Sequence, residues 1–322
     1  MKIAILIPAY NAGRFIEAAL DSVAKQSRRP DEVIVVDDGS IDNTADVVET
    51  WRRLHPEMAL LLVTQANEGA SAARNKALRS ASSGLVAFLD ADDLLEPGHL
   101  QELSAALLAN PDLVAVFADQ SVFTVNGERC ASFLAGKRQE RISQKPGARG
   151  VRILSRGLWC ALVRGNFIPT SASMVYRQVA LDVGLFDTGL ATSEDRDFWL
   201  RVSRRGSVGF LPRVLARKRE HESNLSGDMN SQEVSANALE VLLKQMRMAD
   251  SLGLSETERS ATEEALKLAV VDWLYFSSRR GIRGYRLARK QIKHEVPEFL
   301  TMDTISWLRA VFYSLRRKKN AA

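Results

Sequence analysis

Short apolar runs alternate with amphipathic stretches through the first third of the chain. KIAILI precedes GRFIEAALDSVAKQ, EVIVV precedes DNTADVVETWRRL, MALLLV precedes GASAARNKALRSA, GLVAFL precedes PGHLQELSAALLA, and LVAVFA follows. Apolar runs this continuous suit strands buried on both faces, and apolar spacing of three and four between them suits helices, so the pattern predicts βαβ units. The expected fold is α/β, a doubly wound and mainly parallel sheet. In such a sheet the ligand crevice lies beyond the carboxyl ends of the strands. Those ends read PAYN, DDGS, QANEG and DADD, and all four are polar.

From about residue 119 to 165 the pattern weakens into Gly-rich, basic sequence, which reads as loops or a mobile excursion. It returns at SASMVYRQVALDVGLFD, SEDRDFWLRVSRRG and SVGFLPRVLARKREH, where two helices and a strand are expected. Beyond about residue 230, stretches such as VSANALEVLLKQMRMADSL and TEEALKLAVVDWLYFSSRR predict a helical C-terminal region. The chain therefore divides into residues 1–228, the α/β part, and 229–322, the helical part.

Charge sharpens this division. The net charge of +5 is uneven: residues 1–118 carry 10 Lys+Arg against 17 Asp+Glu, and residues 279–322 carry 12 against 3. The basic end is either a solvated helix face or a contact for anionic lipid. Its last segment, TISWLRAVFYSLRRKK, spaces Ile305, Leu308, Phe312 and Leu315 as one helical stripe, adds Trp307 and Tyr313, and closes on Arg316 to Lys319. Such a helix either docks on protein or lies on an anionic membrane surface. A composition of 46% hydrophobic and 26% charged residues is that of a soluble globular protein. Cys130 and Cys160 form no CxxC pair, so neither a disulfide framework nor a zinc site is indicated. The apolar run before Pro8 is short for a signal peptide, and no stretch reaches the roughly 18 residues of a membrane span. The expected location is cytoplasmic, at most peripheral at the inner face of a membrane.

The strand ends carry the candidate chemistry. Tyr10 is placed to stack on a planar base or to serve as ordinary packing. Asp37 and Asp38 end the second strand, where a carboxylate accepts from a base N–H or ribose hydroxyl, while Asp42, Asn43 and Thr44 already offer helix caps. In DADD, Asp90, Asp92 and Asp93 crowd negative charge against a buried strand, which costs free energy unless a cation lies between them. In an extended segment Asp90 and Asp92 point to one side and can share Mg²⁺ or Mn²⁺ with diphosphate oxygens. Arg74, in the small-residue stretch NEGASAARNKAL, meets a base edge or phosphate, or is a surface arginine. Glu194 and Asp195 in SEDRDFWLR are macrodipole partners of a helix start, or a carboxylate able to act as a general base. His221 in REHESNLS is a metal or diphosphate contact, or a surface histidine.

In order and spacing, IPAYN, VVDDGSIDNT, NEGASAARNKAL, FLDADD and SEDRDFWLR resemble the family 2 glycosyltransferases of the GT-A fold, over residues 1 to about 226. The resemblance implies a mixed, mainly parallel sheet and an inverting, single-displacement transfer from a nucleotide-diphosphate sugar to a saccharide or lipid-linked acceptor. It implies that Ala9, Tyr10, Asp38 and Arg74 hold the nucleotide, Asp90 the ribose, Asp92 the divalent metal and His221 the diphosphate region, with Asp195 as the base. The Gln-x-x-Arg-Trp signature of processive synthases is missing, so one sugar per encounter is expected, in cell-surface glycan or glycolipid synthesis. A nucleic-acid partner is not expected. A nucleotidyltransferase would want a Gly-rich loop with a basic residue after the first strand, and a dinucleotide-dependent oxidoreductase a G-x-G-x-x-G there; PAYNAGRF supplies neither. A catalytically silent scaffold would have no need of the acids.

Overall fold

The computed structural model describes residues 1–137, 142–155, 157–222, 231–302 and 306–319. Contacts divide the chain into two compact units, Met1–Glu222 and Ser223–Ala322. Residue 228, the expected boundary, lies outside the described residues.

The first unit opens with the expected alternation: β1 (Ile3–Ala9), α1 (Ile16–Ala24), β2 (Glu32–Asp37), α2 (Thr44–Leu54), β3 (Leu60–Thr64), α3 (Ala70–Ser80) and β4 (Leu85–Phe88). After the short β5 (Leu94–Leu95) come α4 (His99–Leu108) and β6 (Leu113–Thr124). Residues Ile3 to Ile7 of β1 are fully buried, as a central strand covered on both faces requires. α1 turns Ile16, Ala19, Leu20 and Val23 inward at helical spacing onto this layer. Truncating one such side chain, Ile5→Ala for example, would cost about 2–5 kcal/mol.

The remainder is built from β7 (Gly127–Cys130), β8 (Gln144–Pro146), β9 (Arg152–Leu154), α5 (Leu158–Leu162), β10 (Ser173–Tyr176), α6 (Arg177–Asp182), α7 (Glu194–Val202) and β11 (Ser207–Arg219). Among the described residues the sheet runs β3-β2-β1-β4-β10-β6-β11-β9-β8, with β5 paired to β11 and β7 to β6. β1 to β4 are mutually parallel, β10 is antiparallel to both its neighbours β4 and β6, and β11 is parallel to β6. The sheet is thus mixed and mainly parallel.

Two expectations are corrected here. The stretch expected as loops holds the second half of β6 with β7, β8, β9 and α5, because β6 continues through Asp119, Gln120 and Ser121, three buried polar residues that break the apolar signal. Asp119 is satisfied by Gln120 N, Ser132 Oγ and Leu134 N, so the strand survives its polar interior. The stretch beginning SASMVY is first a strand, β10, and only then the helix α6.

The second unit holds α8 (Ser231–Arg247), α9 (Glu256–Ser278), α10 (Ile282–Glu295) and α11 (Ser306–Lys319). α9 starts with a capping box in which the Ser255 side chain accepts from Glu258 N and the Glu258 side chain accepts from Ser255 N. α11 docks through small residues: Ser306 and Ala310 are buried and Ser314 Oγ accepts from Ile282 N at 2.8 Å. The expected apolar stripe is not the docking face. Leu308 and Phe312 stay exposed, while Ile305 and the side chain of Leu315 lie outside what is described. Among the described residues no helix is long and apolar enough to cross a membrane.

Candidate active site

The chain leaves β4 at Phe88 and folds into a turn closed by Asp93 N donating to Asp90 O at 3.0 Å. The extended Asp-Ala-Asp segment with both acids on one side is therefore corrected to a turn whose two acids engage different partners. Asp93 fixes that shape. It is buried, its Oδ2 accepts from Ser171 Oγ at 2.7 Å and its Oδ1 from Arg219 N at 2.9 Å, and Ser171 Oγ in turn accepts from Asp90 N at 3.1 Å. The 3-10 turn Thr170–Ala172 before β10 and the end of β11 are thereby tied to the acidic turn. Burial, with the charges of Asp90 and Asp92 added, pushes the Asp93 carboxyl up to about 8.

Asp90 faces Arg74. The guanidinium on α3 donates from Nη2 to Asp90 Oδ1 at 2.8 Å and from Nη1 to Glu194 Oε1 at 2.7 Å, and lies 5.4 Å from the Phe186 ring centroid. It is 6% exposed, so it is no surface arginine, and both terminal nitrogens are engaged by carboxylates. Burial works against its charge, but Asp90 and Glu194 together raise its pKa. Glu194, the first residue of α7, is thus linked to the acidic turn through Arg74 and serves more than its own helix dipole. Its carboxyl is raised by burial and by the charge of Asp195, against the pull of Arg74.

Asp195 follows on α7. The preceding Ser193 has φ of 62°, a left-handed entry that starts the helix abruptly. Asp195 Oδ2 accepts from Asn166 Nδ2 at 2.8 Å and Oδ1 from Arg196 N at 2.6 Å. Burial raises its carboxyl above the ordinary range, and the charge of Asp90 adds to this. The Arg196 N–H, the Arg74 charge and the Asn166 bond oppose the rise. A carboxylate moved toward neutrality is suited to taking a proton.

Asp92 has a different partner. Its Oδ2 lies 2.9 Å from His221 Nε2, and the His221 ring stacks on Phe15 at 4.7 Å. Burial and the charge of Asp90 raise the Asp92 carboxyl, with His221 opposing. Arg219 Nε donates to Asp92 O at 2.9 Å, so the end of β11 brings both Arg219 and His221 to this acid. Among the described residues no three His, Cys, Asp or Glu side chains are grouped to hold a metal ion alone. One carboxylate and one imidazole, with diphosphate oxygens completing the shell, nevertheless form an adequate donor set for Mn²⁺, and the carboxylate with diphosphate oxygens one for Mg²⁺. A cation bound there would also offset the neighbouring negative charge that adds to burial in raising Asp92 and Asp93.

The nucleotide-side candidates lie at the ends of β1 and β2. Ala9 is buried and its carbonyl accepts from Asp38 N at 2.8 Å, while Tyr10 is 49% exposed at the strand end. The Asp38 carboxylate is committed to the protein. Oδ1 accepts from Gln65 Nε2 and Glu68 N, and Oδ2 from Gly69 N, all within 2.9 Å. It pins the loop before α3. Gly39, at φ +73°, lets this loop close, since a Cβ there would lie 2.8 Å from Asn67 N. Asp42 and Thr44 bind the backbone after β1: Asp42 Oδ2 accepts from Gly13 N and Thr44 Oγ1 from Ala12 N, while the N-cap of α2, Asn43, makes no side-chain cap bond.

The structure therefore joins Arg74, Asp90 and Glu194 in one cluster, with Asp195 close enough for its charge to act on them, and pairs Asp92 with His221. Ser171, Asn166 and Arg219 complete it; Arg219 stands beside His221 in REHESNLS, while Ser171 and Asn166 were not singled out by the sequence. Their only signal is that small polar residues flank the strand β10.

Residues 4–155 match the sequence profile of glycosyl transferase family 2. This part of the chain belongs to glycosyl transferase family 2. Among curated relatives, an uncharacterized protein of Mycobacterium tuberculosis is 33% identical over 222 residues, covering 67% of this chain and 66% of its own. An uncharacterized glycosyltransferase of Nostoc sp. is 32% identical over 184 residues, covering 56% of this chain and 52% of its own. The chain thus aligns with less than two thirds of these relatives' lengths. In structure it is similar to S. aureus TarS in complex with UDP-GlcNAc, with a TM-score of 0.66 and 17% identity over 99% of this chain and 92% of that one. It is also similar to a mannosyltransferase of Pyrobaculum calidifontis in complex with GDP-Man and Mn²⁺, with a TM-score of 0.55 and 21% identity over 98% and 87%. At these identities the likeness establishes the fold, which is GT-A. α7 and the end of β11 lie beyond the profile match, which therefore does not reach Asp195 or His221.

Proposed function

We propose that this chain is an inverting, metal-dependent glycosyltransferase that moves a hexosyl or related sugar from a nucleotide-diphosphate donor to a hydroxyl of a saccharide or lipid-linked acceptor. The observation that carries the reading is the Asp195 carboxylate, raised by burial and held by Asn166 within electrostatic reach of the Arg74–Asp90–Glu194 bridge. A neutral hydroxyl is a poor nucleophile, and a fixed, partly desolvated carboxylate is the group that takes its proton. As Asp195 accepts that proton, the acceptor oxygen bonds to the anomeric carbon from the face opposite the diphosphate. In the same step the bond from that carbon to the diphosphate oxygen breaks, its electron pair leaving with the nucleoside diphosphate, which inverts the centre.

Asp92 and His221 would hold the divalent cation, which when bound neutralises charge on the departing diphosphate. Asp90 would accept from the ribose, and Tyr10, at the open end of β1, would stack on the base. Asp38 would act with Ala9 as part of the nucleotide wall by fixing the loop before α3. The UDP-GlcNAc and GDP-Man held by the two similar structures support the donor class and leave the base open. Cell-surface glycan or glycolipid synthesis, one sugar per encounter, is the setting this reading suits.

The test is transfer from a panel of nucleotide sugars with Mn²⁺, with the anomeric configuration of the product read by NMR. Asp195→Asn keeps the shape and removes basicity, so transfer is expected to fall by about 10²–10⁴-fold while donor binding survives. Near-normal turnover by that variant, or a retained configuration, would overturn the reading.

A further inference from the structure

α11 turns the wrong face to water for an ordinary surface helix. Its inner side is Ser306, Ala310 and Ser314, four residues apart, and its outer side carries Leu308 and Phe312, 69% and 57% exposed, flanked by Trp307 at 43%. Large apolar side chains aligned on one outward face mark a surface that meets something other than water. Immediately after Phe312 and Tyr313 the same helix runs through Arg316, Arg317, Lys318 and Lys319. The neighbouring α10 exposes Arg283, Arg286, Lys290 and Lys293 around an exposed Leu287. On α9 the half-exposed Tyr275 carries the Arg309 guanidinium 4.1 Å from its ring centroid.

Charge selects the occupant. In a symmetric contact with a second copy, the same patch would face itself and bring the net +9 of residues 279–322 against an equal charge. An anionic leaflet offers the opposite sign at its surface and hydrocarbon just beneath, with an interface that suits Trp and Tyr. We infer that the outward face of α11, through Trp307, Leu308 and Phe312, docks on an anionic bilayer surface, steered by the basic end of α11 and the cationic face of α10. This goes beyond the transfer chemistry and does not depend on it. Docking is reversible, since one amphipathic helix and a basic cluster fall short of a membrane span.

The full chain is tested by co-sedimentation with vesicles of phosphatidylcholine alone or mixed with phosphatidylglycerol, at low and high salt. Pelleting is expected only with phosphatidylglycerol and is expected to weaken as salt rises. The double variant Leu308→Asp/Phe312→Asp should lose at least about tenfold in vesicle affinity, its fold checked by circular dichroism. Arg316→Ala/Lys318→Ala, at the end of the helix, should lose about fivefold for each charge removed. The inference fails if wild type shows no phosphatidylglycerol-dependent pelleting, or if the variants pellet like wild type. It fails equally if light scattering finds a dimer that Leu308→Asp/Phe312→Asp dissolves while vesicles go unbound, since the face would then belong to a second copy.

Discussion

Asn166 Nδ2 donates to Asp195 Oδ2 at 2.8 Å, and Asn166 Oδ1 accepts from Ile168 N at 3.0 Å, so the amide that holds the carboxylate is itself held by its own loop. A donor aimed at a carboxylate favours the ionised form. Asn166→Ala should therefore raise the Asp195 pKa further and move the acidic limb of the kcat/KM profile to higher pH, by about one unit for a charge-assisted bond. Asn166→Asp, which adds like charge, should move it at least as far. An acidic limb unmoved in both variants would separate Asn166 from the base.

Arg74 is the counter-charge of two carboxylates whose own segments are far apart in sequence. Removing one partner of a buried ion pair leaves uncompensated charge, so Arg74→Ala should lower the unfolding free energy by about 3–5 kcal/mol. Arg74→Lys should rescue little, because an ammonium lacks the planar fork that spans both acids. Urea denaturation of the three proteins decides this; an Arg74→Ala midpoint equal to wild type would contradict it.

Asp92 makes the opposite prediction for stability. Burial and Asp90 disfavour its charge, so Asp92→Asn should leave stability unchanged or higher while it weakens Mn²⁺-dependent donor binding by at least about tenfold. With a chelator present, wild type and variant should bind the donor alike. Calorimetry that finds equal affinities in Mn²⁺ would remove Asp92 from the metal.

His99 supplies a pH dependence away from the site. It is fully buried on α4, Nδ1 donates to Leu215 O at 3.0 Å, Nε2 has no partner, and burial pushes its pKa down to about 4 from an ordinary 6.5. The folded state keeps it neutral, so its contribution is complete above about 6.5, where the unfolded chain is neutral too. That contribution is lost as pH falls toward 4, amounting to about 3 kcal/mol. His99→Gln should flatten the fall in unfolding free energy between pH 6.5 and 4, as measured by denaturation at several pH values. An unchanged slope would show that other groups carry it.

β1, β2 and β4 were legible because each is an unbroken apolar run buried on both faces, β3 at the sheet edge by its apolar run alone, and the sheet rule then located the crevice at their polar ends. β6 was only half legible, since Asp119, Gln120 and Ser121 are buried by hydrogen bonds that no hydrophobic pattern announces. The acids of the turn were found by position, but their directions were not, because the Asp93 N to Asp90 O bond replaces an extended segment. The partners of Arg74 were beyond reach for a different reason. Its link to Glu194 spans 120 positions, and nothing local to either residue encodes it. Asp195 and His221 were named through the resemblance, while Asn166 and Ser171, which hold Asp195 and the acidic turn, carry no periodic signal.

The reversed strand β10 orders the events of folding. β1 to β4 are joined by short parallel crossovers and can assemble from nearby contacts, whereas β10 pairs Val175 with Val86 and must wait for nearly a hundred residues of intervening chain. During synthesis Arg74 and Asp90 are therefore both made well before Glu194. The acidic turn spends that interval without the Ser171, Arg219 and His221 contacts that later hold its other two carboxylates. A nascent chain stalled before β10 would carry the three acids of the turn with Arg74 beside them and without Ser171, Glu194, Arg219 or His221.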